Sequence, residues 1–334
     1  GYAPSVMAND QLTWETTDQW NVGVDFGFLK NRINGTVEFY LQNTKDLLLK
    51  RQLPVVSGFS SVMSNVGSTR NKGIEITLNT RNIMNRNFTW STDLTFSANK
   101  EEIVELYNGK TDDVGNLWFI GQPIDVYYNY KKIGIWQNTE NDLAEMAKFN
   151  EKGANFKPGS IRLEDVDGDY KITEEDKQIL GSVRPKFVAS MVNNFEFKGF
   201  DLSVFLYASV GGLLRNNIEF MEKPGRGNTV KVDYWTSTNP TNAFPRPSVD
   251  VEKLDYISTL GYDKADFLRI RNITLGYTLP EMWSKKVLMD KIRIYLSANN
   301  PAIFTNFTGI DPEGANGRTA PSYSTWMFGI NLSM

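Results

Sequence analysis

The sequence contains no cysteine and no histidine among its 334 residues. Their absence excludes disulfide frameworks, cysteine nucleophiles, Ser–His catalytic pairs, and zinc or haem sites that depend on thiolate or imidazole ligands. Basic residues do not outnumber acidic ones, since 36 lysines and arginines stand against 39 aspartates and glutamates. Proteins that bind nucleic acid usually carry a basic excess for the phosphate backbone, so we expect no nucleic-acid partner.

Long apolar runs are missing as well. The longest apolar stretch lies between Asp201 and Arg215, and it is shorter than the about 20 residues that a transmembrane helix requires. The opening residues show neither the basic start nor the apolar segment of a signal peptide. We therefore expect the sequence to begin inside a longer protein.

What the sequence has in abundance is the alternation of apolar and polar residues with a period of two. Aromatic residues make up 13% of the chain although its mean hydropathy is −0.38. Because successive side chains of a strand point to opposite faces, each alternating stretch predicts a strand with one apolar face. Ten strands are predicted, at residues 20–28, 33–42, 74–79, 88–98, 126–136, 187–197, 202–210, 273–279, 292–298 and 326–334.

Strand and loop lengths favour a membrane barrel over a soluble β-sandwich. Most predicted strands approach the about 9–11 residues of a membrane-spanning strand, whereas soluble sheets average about 5–6. Short connections at Lys30–Asn31 and Lys198–Gly199 alternate with long ones at 50–72, 211–265 and 299–322, as in a barrel. Aromatic residues near strand ends fit interfacial girdles, or alternatively the core of a soluble sheet; they are Trp14, Trp20, Tyr40, Trp90, Tyr127, Tyr128, Trp136 and Tyr323.

The direction of the strands predicts an odd number of them. If the short turns are periplasmic, the first and the last strand both run toward the periplasm. Since ten is even, we expect an eleventh strand, around Leu117–Ile120 or within residues 138–186. Bacterial single-chain barrels have even strand numbers, and bare sheet edges are unstable in lipid. Eleven strands therefore predict that the edges Trp20–Phe28 and Tyr323–Met334 pair with another segment.

One segment predicts a metal site, because its oxygen-bearing residues recur at the spacing of a loop that wraps around Ca²⁺. With Asp165 as position 1, carboxylates fall at positions 1, 3, 5 and 12. The candidate ligands are Asp165, Asp167, Asp169, the backbone carbonyl of Lys171, Thr173 and Asp176. Glycine stands at position 4 rather than 6, so Tyr170 is expected to take the sharp turn. The alternative is a solvated acidic turn before a helix that Thr173 caps.

No residues indicate catalysis. Adjacent carboxylates such as Glu101–Glu102 lack any partner that would give them separate acid and base roles, so we expect no enzyme activity. Tyr234 and Trp235, in the long 211–265 loop, are the candidate substrate contacts, since their rings would stack on a sugar or peptide. The alternative is that this pair packs its own loop.

A set of short motifs, in order along essentially the whole chain, resembles SusC/RagA-type TonB-dependent outer-membrane transporters. The motifs are Trp14-Glu15-Thr16-Thr17, Asn65-Val66-Gly67, Asn71-Lys72-Gly73-Ile74-Glu75, Gly121-Gln122-Pro123-Ile124, Gly134-Ile135-Trp136-Gln137, Pro158-Gly159-Ser160-Ile161, the Asp165–Asp176 loop, Phe267–Tyr277 and Asn299-Asn300-Pro301. The resemblance implies an all-β fold, in which residues 1–334 form the C-terminal half of a barrel of about 22 strands. The plug domain, the TonB box and the first barrel strands would lie outside this sequence.

The resemblance also implies a function and partners. The whole protein would import oligosaccharides or peptides across the bacterial outer membrane, energised by TonB through the plug. A SusD-like surface lipoprotein would close over the long loops, the N-terminal half would complete the barrel, and lipid would surround it. The alternative is a secreted, calcium-dependent, β-rich glycan-binding module.

Overall fold

A computed structural model describes residues 6–216, 232–247, 255–314 and 322–334. Among these residues, two α-helices are present, at Glu140–Glu151 (α1) and Glu281–Ser284 (α2). Neither they nor any other helix of the described ranges is long and apolar enough to cross a membrane. Short 3₁₀ turns lie at Val55–Ser57, Glu174–Asp176, Ile257–Thr259 and Lys285–Val287.

Strands dominate the described ranges. In chain order they are β1 (Val6–Met7), β2 (Thr16–Phe28), β3 (Ile33–Lys45), β4 (Leu48–Gln52), β5 (Ser61–Asn65), β6 (Ser68–Met84), β7 (Phe88–Glu105), β8 (Val126–Tyr130), β9 (Lys132–Ile135), β10 (Ile161–Leu163), β11 (Lys177–Ser182), β12 (Phe187–Phe197), β13 (Phe200–Val210), β14 (Leu213–Arg215), β15 (Tyr262–Lys264), β16 (Phe267–Thr278), β17 (Lys291–Thr305) and β18 (Thr325–Ser333).

Nine of these strands form one antiparallel sheet, the main sheet. Its order is β18-β17-β16-β13-β12-β7-β6-β3-β2, so every neighbour in space is also the next long strand along the chain. Its members run from 9 residues in β18 to 18 residues in β7. The predicted all-β class and the antiparallel arrangement are confirmed. The predicted edges are confirmed too, because β2 and β18 lie at opposite ends of the sheet.

The expected eleven strands are corrected to nine in the main sheet, as far as the described residues go. The aromatic stretch 126–136 folds into β8 and β9, which pair with β11 and β10 in two small separate sheets. Residues 117–120 make only isolated bridges, and the 138–186 segment holds α1, β10 and β11. The strand number nevertheless stays odd, as the direction argument required.

The register of the main sheet sorts the side chains into two faces. Val24 lies opposite Val37, which lies opposite Ile76, and the row continues through Phe96 to Ala189. This apolar face is exposed over much of its area, including Trp20, Phe39, Leu275, Leu296, Trp326, Phe328 and Ile330. The opposite face carries polar side chains that bond across strands, namely Asp25 with Thr36 and Thr95 with Ser190.

The two ends of the main sheet differ in their connections. At one end the strands are joined by residues 29–32, 85–87, 198–199 and 279–290. In the first of these turns Leu29, Lys30 and Asn31 all have positive φ angles, a conformation suited to a tight reversal. At the other end stand the long connections 46–67, 106–186, 211–266 and 306–324. The predicted alternation of short turns and long loops is confirmed, and the candidate site residues lie at the long-loop end.

The buried core of the described residues lies mostly among the long loops rather than on the main sheet. Two apolar clusters meet there, which we call the loop core. One cluster consists of Ile135, Ile161, Leu163, Trp235, Ile257 and Leu260, and the other of Trp136, Met146, Phe149 and Phe156. Helix α1 begins after Thr139, whose hydroxyl accepts the backbone N–H of Asp142. It places Met146 and Phe149 in the second cluster.

Candidate functional site

The acidic loop, residues 165–176, connects β10 to β11 and rests on the loop core. Ile172 packs against both apolar clusters. The ring of Tyr170 lies edge-on to Phe149, with 5.4 Å between the ring centroids. These two apolar contacts fix the second half of the loop to the core and leave the carboxylates of its first half toward solvent.

Three carboxylates of the acidic loop converge. The nearest oxygens of Asp165, Asp167 and Asp169 all lie within 4.8 Å of one another. Each carboxylate also accepts a backbone N–H, and Asp165 accepts two, from Gly168 and Tyr170, both at 2.9 Å. The loop is therefore already curved around its own carboxylates, because these bonds hold alternate side chains on its concave side.

The sharp turn occurs where the sequence predicted it. Tyr170 has a φ angle of 61°, and Gly168 two residues earlier has 76°. A non-glycine residue in this conformation is disfavoured by roughly 1–3 kcal/mol unless its surroundings hold it. The contact of the Tyr170 ring with Phe149 supplies that support.

The end of the loop serves as a cap. Asp176 is fully buried, and its two oxygens accept the backbone N–H groups of Val166 at 2.8 Å and Thr173 at 2.7 Å. The Thr173 hydroxyl in turn accepts the backbone N–H of Glu175. This reciprocal capping box begins the 3₁₀ turn at Glu174. Asp176 lies outside the group of three converging carboxylates. The loop thus contains both the expected Thr173 cap and a carboxylate group of the kind that suits a hard cation.

Charged contacts in the acidic loop and at Glu164, just before it, hold this segment against β11 and the end of β8. Glu164 lies 3.0 Å from the ammonium of Lys131 and accepts a hydrogen bond from Gln178 at 2.7 Å. These bonds, the one from Lys131 first, hold the pKa of Glu164 below its ordinary value. Tyr130 donates its hydroxyl to Glu174, and burial, together with the negative charge of Glu174, raises the pKa of Tyr130 to about 12.

The two candidate aromatic contacts point in different directions. Trp235 is only 8% exposed, packs in the first apolar cluster, and donates its indole N–H to Gln137 Oε1 at 2.8 Å. A Cβ on Gly159 would lie 2.5 Å from this ring, so glycine is needed there for the close approach. Trp235 therefore has a packing role, as in the alternative named above, although it contacts other loops as well as its own. Tyr234 is 46% exposed and keeps a free face.

A partly open cavity of about 870 Å³ lies beside the loop core. Its walls come from five separate segments, in residues 131–134, 178–180, 213–216, 232–244 and 259–263, with Thr308 as a further contact. Sequence reasoning missed this cavity, since no local pattern records that these distant segments meet. Its volume falls within the about 300–1,000 Å³ that is usual for ligand sites.

The cavity carries one charge of each sign that has no ion-pair partner within the described residues. Lys132 donates to the backbone carbonyls of Asn242 at 2.8 Å and Ala243 at 2.6 Å. Burial lowers the pKa of Lys132, and the negative charge of Asp263 acts in the opposite direction. The Oδ2 atom of Asp263 accepts hydrogen bonds from Asn216 at 3.0 Å and from Thr308.

Comparison with known proteins gives a consistent result. Residues 1–301 match the protein family described as "TonB dependent receptor-like, beta-barrel". The chain is 32% identical to TonB-dependent receptor P3 of Formosa agariphila, over 98% of this chain and 35% of that protein. It is 30% identical to the TonB-dependent receptor SusC of Bacteroides thetaiotaomicron, over 97% of this chain and 32% of that one.

A solved structure of the RagAB peptide transporter has the same fold over 98% of this chain and 36% of its own, with a TM-score of 0.77 and 25% identity. The chain therefore spans about a third of the length of the curated relatives that it matches.

Proposed function

The chain belongs to the TonB-dependent receptor-like β-barrel family, and on that premise we propose that it forms part of the wall of an active nutrient importer. Members of this family are transport proteins of the bacterial outer membrane and not enzymes. The observation that carries the proposal is the main sheet, in which all nine strands place apolar side chains on one face while the other face is mainly polar. Such a sheet suits lipid on one side and an aqueous lumen on the other.

Completion of the barrel by other strands is part of the same proposal. Within the described residues, β2 and β18 each have an outer edge that pairs with no other strand, and lipid would leave the ladder groups of that edge unsatisfied. Strands outside this sequence, from the rest of the same protein, would pair with both edges. In the full-length protein in membranes, a Val22→Cys/Phe328→Cys pair should then form no disulfide. Rapid formation of that disulfide would mean that the nine strands close on themselves.

We infer that the transported molecule is an oligosaccharide or a peptide. The likeness to the RagAB peptide transporter supports the peptide class. The oligosaccharide class and a surface lipoprotein of the SusD type as partner follow from the resemblance of the sequence motifs to SusC/RagA-type transporters. The long loops at one end of the sheet would meet that lipoprotein, and TonB would act through a plug. Uptake of labelled oligomers by cells that express the full-length protein should stop when TonB is deleted or the proton gradient is collapsed. Uptake that survives both treatments would contradict the proposal.

The secreted glycan-binding module is the weaker reading. A soluble module would bury its apolar faces, yet the described main sheet leaves Trp20, Phe328 and Ile330 mostly exposed along one face. Purified protein that stayed soluble without detergent would favour that reading.

We propose further that the acidic loop binds Ca²⁺ in a structural role. Asp165, Asp167 and Asp169 would supply the carboxylate oxygens, and the carbonyl of Lys171 would complete the set with water. The support for this is their convergence within 4.8 Å, which leaves three negative charges close together without a cation. Asp176 and Thr173 would hold the loop rather than the ion.

The calcium proposal predicts a change in backbone protection. Addition of a chelator should speed hydrogen exchange across residues 165–176, and calcium should restore it. Asp169→Asn keeps an oxygen for the N–H of Lys171 but removes a charge, so it should weaken the response to calcium. Glu175→Gln, outside the converging group, is the matched control. Hydrogen-exchange rates of residues 165–176 that change neither with the chelator nor with Asp169→Asn would refute the calcium site.

A further inference from the structure

Two oppositely charged side chains line the cavity beside the loop core without forming an ion pair with each other. Lys132 lies on its β9 wall and Asp263 on its β15 wall. Within the described residues neither makes an ion pair, although each is held in place by hydrogen bonds. The negative charge of Asp263 nevertheless acts to raise the pKa of Lys132, against the effect of burial. The two groups therefore face a common space without contact.

Both groups keep capacity for a ligand. An ammonium has three donors, and two of those of Lys132 go to backbone carbonyls, so one remains. A carboxylate has two oxygens, and the described hydrogen bonds reach only Oδ2 of Asp263. Neutral partners satisfy the fixed bonds of both groups, so the charges themselves stay uncompensated. An uncompensated, half-buried charge favours a ligand group of opposite sign.

The other cationic group at this wall is already neutralised. Lys131 lines the same cavity, but it pairs with Glu164 at 3.0 Å. Apolar side chains, among them Leu213, Phe244 and Leu260, form much of the remaining wall. A ligand that fits this arrangement has a carboxylate at one end, an ammonium at the other, and an uncharged body between them.

We propose that this cavity binds a short peptide with free ends, its carboxylate at Lys132 and its ammonium at Asp263. The inference rests on the proposed import function and narrows the substrate class at this site from oligosaccharide or peptide to peptide. Neutral oligosaccharides offer neither charge, and acidic oligosaccharides offer only the carboxylate. Hydrogen bonds to charged groups are stronger than neutral ones, so each terminus contributes selectively.

The test uses the full-length transporter in detergent and calorimetric binding of defined probes. These are tetra-alanine with free ends, the same peptide N-acetylated or C-amidated, maltotetraose, and tetragalacturonate. Tetra-alanine with free ends should bind at least about tenfold more tightly than either capped form, as expected for loss of one charged hydrogen-bonded contact. Neither oligosaccharide should compete with it.

Variants then assign each terminus to its partner. Lys132→Met should weaken binding of the peptide with free ends and abolish the difference in affinity between the free and the amidated peptide. Asp263→Asn should abolish the difference between the free and the acetylated form while amidation still matters. Lys264→Met, an exposed cation next to Asp263 that does not line this cavity, is the matched control and should bind as wild type.

Several outcomes would overturn the inference. They are equal binding of free and capped peptides, no binding of the free peptide, or capping effects that both variants leave unchanged. Tetragalacturonate binding that depends on Lys132 but not on Asp263 would replace the peptide by an acidic sugar. The comparison of free, acetylated and amidated peptides uses only the wild-type protein, so it does not depend on the folding of any variant. Because binding is measured without energy, its failure would leave TonB-dependent uptake standing, and loss of uptake with intact binding would contradict only the import function.

Discussion

The main sheet and the loop core use apolar side chains in opposite ways. In the main sheet they stand on one face in cross-strand rows and remain exposed, as with Phe328 and Trp326 on β18. In the loop core they turn toward one another, and the rings of Trp136, Phe149 and Phe156 meet at centroid distances of 5.7–6.0 Å. The same residue types therefore serve two solvents, lipid for the sheet and the protein's own interior for the loops.

This difference teaches where stability resides. Lateral hydrogen bonds between long strands hold the main sheet together, and its apolar face needs an apolar medium rather than a packed partner. The loop core stands in water, where burial of apolar area is the main stabilising contribution. Removal of an aromatic ring should consequently lower local stability strongly in the loop core and only slightly in the main sheet.

The largest expected effect comes from Phe149→Ala in the loop core. Removal of this buried ring leaves a cavity against Trp136 and Tyr170, and such changes cost about 3–5 kcal/mol. Hydrogen exchange of α1 in the membrane-embedded full-length protein would report the loss of local stability. The matched change Phe328→Ala, on the exposed face, should alter protection of β17 and β18 far less. Similar losses at both positions would erase the distinction between the two regions.

A charge on the sheet tests which face meets lipid. Leu206 lies on the apolar face near the middle of β13, opposite Met191, so Leu206→Arg should cost about 2–4 kcal/mol and impair assembly. Ser203 lies on the polar face opposite Asn194 and Thr274, so Ser203→Arg should be tolerated. The yield of heat-modifiable, folded protein in membranes measures both. Equal tolerance would mean that the faces are assigned wrongly.

A smaller effect is expected where the loop core keeps its shape but loses one bond. Trp235→Phe preserves most of the ring packing and removes the hydrogen bond to Gln137, so it should cost about 0.5–1.5 kcal/mol. Local exchange around residues 135–137 would show it. Gly159→Ala should lower stability more than Trp235→Phe does. The added methyl would collide with the Trp235 ring, and Gly159 has a backbone conformation that favours glycine. The reverse order would contradict the close packing of these two residues.

The smallest expected effect is a loss of local stability in the last long loop, residues 306–324, at acidic pH. Asp311 lies 2.7 Å from buried Arg269 of β16 and accepts the backbone N–H groups of Glu313 and Ser322. Burial acts to raise the pKa of Asp311, but bonds from the Ser322 hydroxyl, the Glu313 backbone and Arg269 outweigh it and hold the pKa below its usual range. A carboxyl with a lowered folded pKa stabilises above its unfolded pKa of about 3.9 and loses that contribution as the pH falls further.

Amide exchange at Glu313 and Ser322 should therefore accelerate on acidification below pH about 4, relative to the intrinsic rates. Asp311→Asn should remove this pH dependence. Exchange that changes with pH equally in wild type and variant would assign the effect to another group.

Local patterns in the sequence account for the main sheet but only partly for the loops. Alternation with a period of two depends on neighbouring residues alone, and the rows through Val24, Val37 and Ile76 follow from it. The aromatic stretch 126–136 was wrongly predicted as a barrel strand. Its residues Ile135 and Trp136 are buried in two different clusters of the loop core instead of lying on opposite faces of one sheet. The convergence of the aspartates and the turn at Tyr170 were local and predictable. The burial of Trp235 and the Lys132–Asp263 cavity depend on contacts between distant segments, which no local pattern contains.

The pairing of β8 with β11 shortens the path by which β7 and β12 meet during folding. The 106–186 connection is the longest in the described sheet, and the entropy lost on closing a flexible loop grows with its length. Once Tyr130 and Lys177 are joined in register, only residues 106–125 and 183–186 remain as free chain between the two long strands. The small sheet of β8 and β11 therefore lowers the effective contact order of the main sheet. Mutations in this small sheet should slow the assembly of the β7–β12 ladder even though they touch no residue of that ladder.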